Sequence, residues 1–528
     1  MEFPIHSAAQ ESLIAFLSNP ASYPHRPRQV KRIQTHCSIV FIAAPYAYKI
    51  KKPVNFGFLD YSTPQKRKAM LERELELNRR LTNGIYLEVI PIGLHNGRLT
   101  LYQGQAVEHV LKMRRMAKAY FMDRLIDRGV VGRTDMDRLV TKLSRFYQGQ
   151  PVTAGKNWGD HLRKATTDNF RNTEQFVTEI LSRTAFDVLQ SYTDGFYRDR
   201  GSLLETRASG GWIRDCHGDL RLEHIHLRPK SVQIYDCIEF NDRLRIIDVA
   251  SDLAFLAMDL DFHGRSDLGR YFVERMQGEL GDRAAPALMD FYKCYRAYVR
   301  GKVECLLCSE PETPEIEREQ SRQRGRRYFQ LALNYAIAGS TPCVIICMGK
   351  IGSGKSTLAK GLQRELGWEI LSSDVTRKTL AGLPLTERPD AVTRNRLYAK
   401  AMTRKTYDDL LDRALAQASN GSSVIIDATF GNRVNRDRAQ SRLEQADVRY
   451  RFVEACASES VIRRRLTQRD DRTDEVSDAR LSDYETLDRL FEHPEELADQ
   501  ERISVYTETA GEDSLVNLMK SLSPTHPE

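Results

Sequence analysis

The chain has 528 residues, of which 41% are hydrophobic and 29% charged, with a formal net charge of +7. That length exceeds what one core fills and predicts roughly two to four domains, while the composition excludes a disordered or fibrous protein. No run approaches the ~18 apolar residues of a spanning helix, and the N-terminus lacks a basic segment followed by an apolar one, so a cytoplasmic protein with no membrane partner is expected.

Nine cysteines are scattered, and their odd number with one close pair, Cys305 and Cys308, fits neither a disulfide framework nor a four-ligand zinc site. The modest positive charge permits a phosphorylated or nucleic-acid partner without requiring one.

In chain order, QTHCSIVFIAAPYAYKI (34–50) predicts two extended segments about a turn at Ala44 and Pro45, and STPQKRKAMLERELELNRRL (62–81) a helix capped by Ser62. The pattern from about Met113 to Leu204 is mostly helical. IHL and VQIYDCIEF then suit a hairpin turning at Pro229 and Lys230, and helices continue to about Ala338. Within that stretch SEPETPEIEREQSRQRGRR (309–327) is charged and poor in apolar residues; its basic cluster, Arg322 to Arg327, suits a solvated helix face or a phosphate contact. A boundary before Ser340-Thr341-Pro342 gives two domains, 1–338 and 339–528. Beyond it CVIICM, WEILSSD, SVIIDAT, VRYRFVEA and RISVYTE alternate with helical runs, the pattern of a parallel sheet with crossovers.

The first of these runs leads into Gly349-Lys-Ile-Gly352-Ser353-Gly354-Lys355-Ser356, a GxxxxGK[ST] phosphate loop between a strand and the helical TLAKGLQREL. Backbone amides in such a loop face the β-phosphate at a helix N-terminus; Lys355 reaches the β- and γ-phosphates, Ser356 ligates Mg²⁺ and Thr357 contacts the α-phosphate. The second run ends at Asp374, with Arg377 a turn later, at the sheet's carboxyl edge. Asp374 suits a base for a substrate hydroxyl or a helix cap, and Arg377 a clamp for an anionic group. Asp427 ends another apolar strand and suits the Mg²⁺ ion with its waters, or the acceptor. Arg463, Arg464, Arg465 and Arg469 lie in CASESVIRRRLTQRDDRTDEVSDARL, which has the character of an arginine lid.

From about Thr341 to Glu508 these motifs resemble the AAA-type P-loop kinases grouped with zeta toxins and polynucleotide 5′-hydroxyl kinases. The resemblance implies ATP and Mg²⁺ at Lys355 and Ser356, Asp374 as base, Arg377 on the acceptor, and one of the lid arginines, Arg465 or Arg469 among them, at the γ-phosphate.

Upstream, Cys216-His217-Gly218-Asp219-Leu-Arg-Leu-Glu-His224 and Ile234-Tyr235-Asp236-Cys-Ile-Glu239 resemble the catalytic loop and metal segment of aminoglycoside phosphotransferases and choline-kinase-like enzymes. Together with YKIKKPVNFGFLDYSTPQKR and ERELELNRRL, they resemble bacterial proteins that fuse such a domain to a P-loop kinase. The implied fold class is a protein-kinase-like α+β domain followed by an α/β P-loop domain. The implied roles are Asp219 as base, Asp236 on Mg²⁺, Lys49 (or Lys51, on the same strand face) on the phosphates and paired with Glu74, and Asp252 tying the loop together. His224 stands where the family has a metal-binding asparagine, and no glycine-rich loop is present. The expected function is ATP-dependent phosphoryl transfer to a hydroxyl acceptor, a small molecule, nucleotide or nucleic-acid 5′ end. The alternatives are a regulatory, ligand-binding first domain or a P-loop domain acting as a switch.

Overall fold

The computed structural model describes residues 8–35, 37–55, 59–153, 157–310, 313–387, 389–470, 476–508 and 512–523. They form two compact units, residues 1–162 with 202–292 and residues 163–201 with 293–528.

In the first unit, β1 (Lys31–Gln34), β2 (Ser38–Ala43), β3 (Tyr46–Lys51), β4 (Tyr86–His95), β5 (Arg98–Leu101) and β6 (Gln105–Arg114) make an antiparallel sheet ordered β1-β2-β3-β6-β4-β5. The turn expected at Ala44 and Pro45 joins β2 to β3. Alternation along each strand sends Ile39, Phe41, Tyr48, Ile50, Ile90, Ile92 and Val110 into one core with Leu17 and Tyr23. On β3 the residues out of phase with that core are Ala47, Lys49 and Lys51, and the two lysines both bond to Glu74 of the helix Pro64–Arg79.

That helix is capped by Thr63, whose hydroxyl accepts from the Lys66 N–H, and not by Ser62, which bonds Asp60. Pro64 explains the shift: its fixed φ and missing N–H suit the first helical position, so the cap is the residue before it. Thr63→Ala is expected to cost about 1 kcal/mol in urea denaturation, whereas Ser62→Ala should change stability by less than ~0.5 kcal/mol.

Further strands are β7 (Ile213–Asp215), paired with β10 (Ile246–Asp248), and the hairpin β8 (Ile225–Arg228) with β9 (Ser231–Ile234), which turns where Pro229 and Lys230 predict. Arg207, 1% exposed, bridges Asp248 and Asp282 with four hydrogen bonds. Asp248 also caps the helix Val249–Phe262 by accepting from the Ala250 N–H.

The second unit is built on a five-stranded parallel sheet: β11 (Cys343–Met348), β12 (Glu369–Ser372), β13 (Val424–Asp427), β14 (Arg449–Cys456) and β15 (Arg502–Tyr506), ordered β12-β13-β11-β14-β15. Each of the five runs expected to be strands is one. The charged stretch 309–327 leads into a single helix, Glu315–Ala338, steadied by Arg322 with Glu315 and Glu319 and by Arg324 with Glu304. The compact units do not follow the division at 338/339, because segments before it bond into the P-loop unit: Gln330 to the Glu365 carbonyl, Asn334 to the Trp368 indole and Ser182 to the Glu365 carboxylate. Among the described residues no helix is long and apolar enough to cross a membrane.

Candidate functional site

β11 is buried throughout and lies between β13 and β14, so the chain leaves its carboxyl end where the crossovers change direction, the place where open α/β sheets bind ligands. The turn that follows needs glycine. Gly349 has φ 134°, and a Cβ there would lie 2.5 Å from the Ala455 carbonyl oxygen; Gly354, φ 101°, caps the helix Lys355–Leu366. The loop is braced by Thr507, just past β15, whose hydroxyl donates to the Ser353 carbonyl and whose N–H donates to Cys456.

Within this cradle the Lys355 ammonium donates to the Lys350 carbonyl at 2.9 Å. Burial holds its pKa below the usual lysine value; Asp427 and Asp374 pull against that shift, and Arg469 adds to it. The Ser356 hydroxyl bonds Asp427, whose pKa burial pushes up and Lys355 opposes. The buried Ser353 hydroxyl makes no hydrogen bond among the described residues. Lys355, Ser356, Asp427, Asp374 and Arg469 are thus coupled in one neighbourhood.

Asp374 sits inside the first turn of the helix Ser373–Ala381, and the cap position is Ser372. Arg377 lies 3.6 Å from the Asp374 carboxylate and 4.5 Å above the Tyr398 ring, with its buried Nε unbonded among the described residues. Arg465 is committed elsewhere: its guanidinium donates to the Thr507 hydroxyl at 2.9 Å and to the Gly352 carbonyl. Arg463 pairs with Glu459. Residues 471–475 of the arginine-rich stretch lie outside the described residues.

In the first unit, Lys49 bonds Glu74 at 2.7 Å and Asp236 at 3.2 Å, while Lys51 bonds the other Glu74 oxygen at 2.6 Å and Glu239 at 2.5 Å. Both lysines thus join the helix to the 234–239 segment, Lys49 through Asp236 and Lys51 through Glu239. Burial works against the Lys49 charge, yet Asp236 and Glu74 raise its pKa well above the usual value. The same pairing outweighs burial at Asp236 and holds that carboxyl low. Asp236 has φ 62°, uncommon without glycine and typical of functional turns.

The segment 216–219 hangs from Asp252, which accepts from the His217 and Gly218 N–H groups, both at 2.9 Å, and from the Tyr147 hydroxyl. Arg221 grips both oxygens of Asp219, at 2.7 and 3.0 Å. His224 lies with Nδ1 2.8 Å from the Asp219 carbonyl and Nε2 3.6 Å from Asp236.

Thr507, Tyr398 and Arg221 were not foreseen from the sequence. Only Arg221 carries a local signal, two residues after Asp219 in an extended segment; the others arrive from distant stretches without a motif.

A family model described as AAA domain matches residues 344–494, which include the phosphate loop, Asp374 and Asp427. Among solved structures, a choline/ethanolamine kinase family protein from Mesorhizobium loti covers 61% of this chain and 99% of its own at 14% identity and a TM-score of 0.36. The Mycobacterium tuberculosis APS kinase CysC, in complex with AMPPNP and APS, covers 35% and 97% at 19% identity and a TM-score of 0.26. Over 480 residues the chain is 31% identical to the uncharacterised protein Rv2004c of Mycobacterium tuberculosis, and equally to a counterpart in Mycobacterium bovis, covering 87% of this chain and 91% of each relative. On that shared length and identity, the chain belongs to the family of these mycobacterial proteins.

Proposed function

We propose that the P-loop unit transfers the γ-phosphate of ATP to a hydroxyl acceptor. The observation that carries this reading is the half-buried Lys355 ammonium, its pKa depressed, at the mouth of a glycine turn and within electrostatic reach of both Asp427 and Asp374. ATP with Mg²⁺ fits this donor set, since a desolvated ammonium, an unbonded Ser353 hydroxyl and a helix N-terminus all favour anionic oxygens. Ser356 and Asp427 would hold the ion, which neutralises charge on the phosphates when bound.

Lys355 then exchanges the Lys350 carbonyl for phosphate oxygens. Asp374 accepts the acceptor's proton as its oxygen bonds phosphorus and the bond to the ADP oxygen breaks. Arg377, set on Tyr398 with an unbonded N–H, orients an anionic group of the acceptor. Arg469, within electrostatic reach of Lys355, is the arginine assigned to the γ-phosphate, and Arg465 stiffens the loop in the present arrangement. The acceptor class extends from small hydroxyl compounds to nucleic-acid 5′ ends. Asp374→Asn is expected to lower kcat on the order of a hundredfold with nucleotide affinity unchanged, measured with radiolabelled ATP and an acceptor panel. Transfer at the parent rate would remove Asp374 from the chemistry and sink this reading.

We propose the first unit as a second, protein-kinase-like ATP site, with Lys49 and Glu74 on the phosphate side, Asp236 and His224 on the metal side and Asp219 facing the acceptor. One observation favours a ligand-binding, regulatory role there: both Asp219 oxygens are already bonded by Arg221. In the same assay, full transfer by Asp219→Ala supports regulation, and its loss assigns transfer to this unit.

A further inference from the structure

The helix Arg133–Gly149 carries Arg138, Lys142 and Arg145 at spacings of four and three residues, which sets three cations on one face. Like charges at that spacing repel, so a helix keeps such a face most readily where something anionic meets it. The face lines a cavity of about 720 Å³ whose other walls are Arg80, at the end of the helix Pro64–Arg79, and Lys230 to Val232, at the β8–β9 turn. Five of the twelve lining residues are cationic and none is acidic.

Two of the five are balanced from outside the cavity, Arg80 by Asp215 at 2.7 Å and Arg138 by Asp135 at 3.2 Å. Lys142, Arg145 and Lys230 have no ion pair among the described residues. Burial lowers the Lys142 pKa, and no neighbouring carboxylate counters it. The cavity therefore gathers three cations, Lys142, Arg145 and Lys230, that no carboxylate among the described residues pairs.

We propose that this cavity binds a small molecule bearing two or more phosphate groups, at a place separate from the Lys49–Asp236 and Lys355 sites. The volume lies within the range of small-molecule pockets, and the cations converge on one concavity. A nucleic-acid strand would instead need a basic track with exposed aromatic faces for its bases; the one aromatic here, Phe146, is buried with the Arg80 guanidinium 5.1 Å from its ring. Arg80 also donates to the carbonyls of Asp215 and Cys216, directly ahead of His217. A ligand that draws on Arg80 thereby acts on the start of the catalytic-loop segment.

The test is calorimetric titration of the full chain carrying Lys355→Ala, without divalent cations, with sodium tripolyphosphate. Binding is expected to weaken at least tenfold when Lys142→Gln and Arg145→Gln are added, while the exposed control pair Arg32→Gln and Arg98→Gln leaves it unchanged. Unaltered melting curves confirm that each variant is folded. Equal affinity in the Lys142/Arg145 variant, no binding by the parent, or preference for a single-stranded oligonucleotide over tripolyphosphate would each overturn the proposal.

Discussion

Lys355→Ala is expected to cut ATP turnover by the P-loop unit on the order of a thousandfold, about 4 kcal/mol of transition-state stabilisation. The size follows from where the ammonium lies: it is half-buried against the loop, so its attraction to a phosphate is less screened than at an open surface. The unliganded protein should respond in the opposite sense. Because burial lowers the folded-state pKa of Lys355, its penalty on stability is complete below that pKa and is relieved as pH rises from it toward the ordinary lysine value near ~10.4. At neutral pH, Lys355→Met should melt at the same temperature as the parent or higher, and should lose the stabilisation that ATP gives the parent. Asp427 obeys the mirror rule. Its raised pKa means no penalty below the ordinary carboxyl value of about 3.9, a growing one as pH climbs from there to the folded pKa, and a full one above. Differential scanning calorimetry with and without nucleotide, beside radiolabelled turnover, checks both halves; turnover that survives in Lys355→Ala would place the chemistry elsewhere.

The second large effect is on folding. Arg207→Ala is expected to destabilise the first unit by roughly 3–5 kcal/mol, because it leaves two buried carboxylates, Asp248 and Asp282, without their cation. The loss reaches the loop through a traceable route. Asp248 starts the helix Val249–Phe262, and that helix carries Asp252, which holds the His217 and Gly218 N–H groups. Arg207→Lys should recover only part of the loss, since one ammonium cannot make four hydrogen bonds to two carboxylates at once. Urea unfolding followed by tryptophan emission reads the change, as Trp212 lies against the Arg207 guanidinium at 4.8 Å. An unchanged midpoint would contradict the assignment of Arg207 as the central counter-charge.

The parallel sheet was legible because its strands are short apolar runs that need no partner to be recognised, and the phosphate loop because its glycines and lysine are contiguous. The first unit was harder to read. β4 and β6 carry Glu88, Glu108 and Lys112, polar residues that blur a strand pattern; the fold satisfies them with partners elsewhere, Arg67 for Glu108 and Lys112 for Glu88. The choice between Lys49 and Lys51 stayed open in the sequence because both point the same way from β3. In the fold both bond Glu74 and they differ in their second partner, Asp236 for Lys49 and Glu239, 188 positions away, for Lys51. The helix Glu315–Ala338 is poor in apolar residues at its start because its first half is held by ion pairs and only its second half by apolar packing.

The brace at Thr507 bears on where this polypeptide can be cut. The residues matched by the AAA domain model stop at 494, whereas β15 and the threonine that latches the glycine turn come after it. A fragment trimmed to the matched span would keep every residue of the GxxxxGK[ST] signature and lose its clasp. Fragments ending beyond the helix Glu512–Leu522 are the ones that should retain a grip on triphosphate.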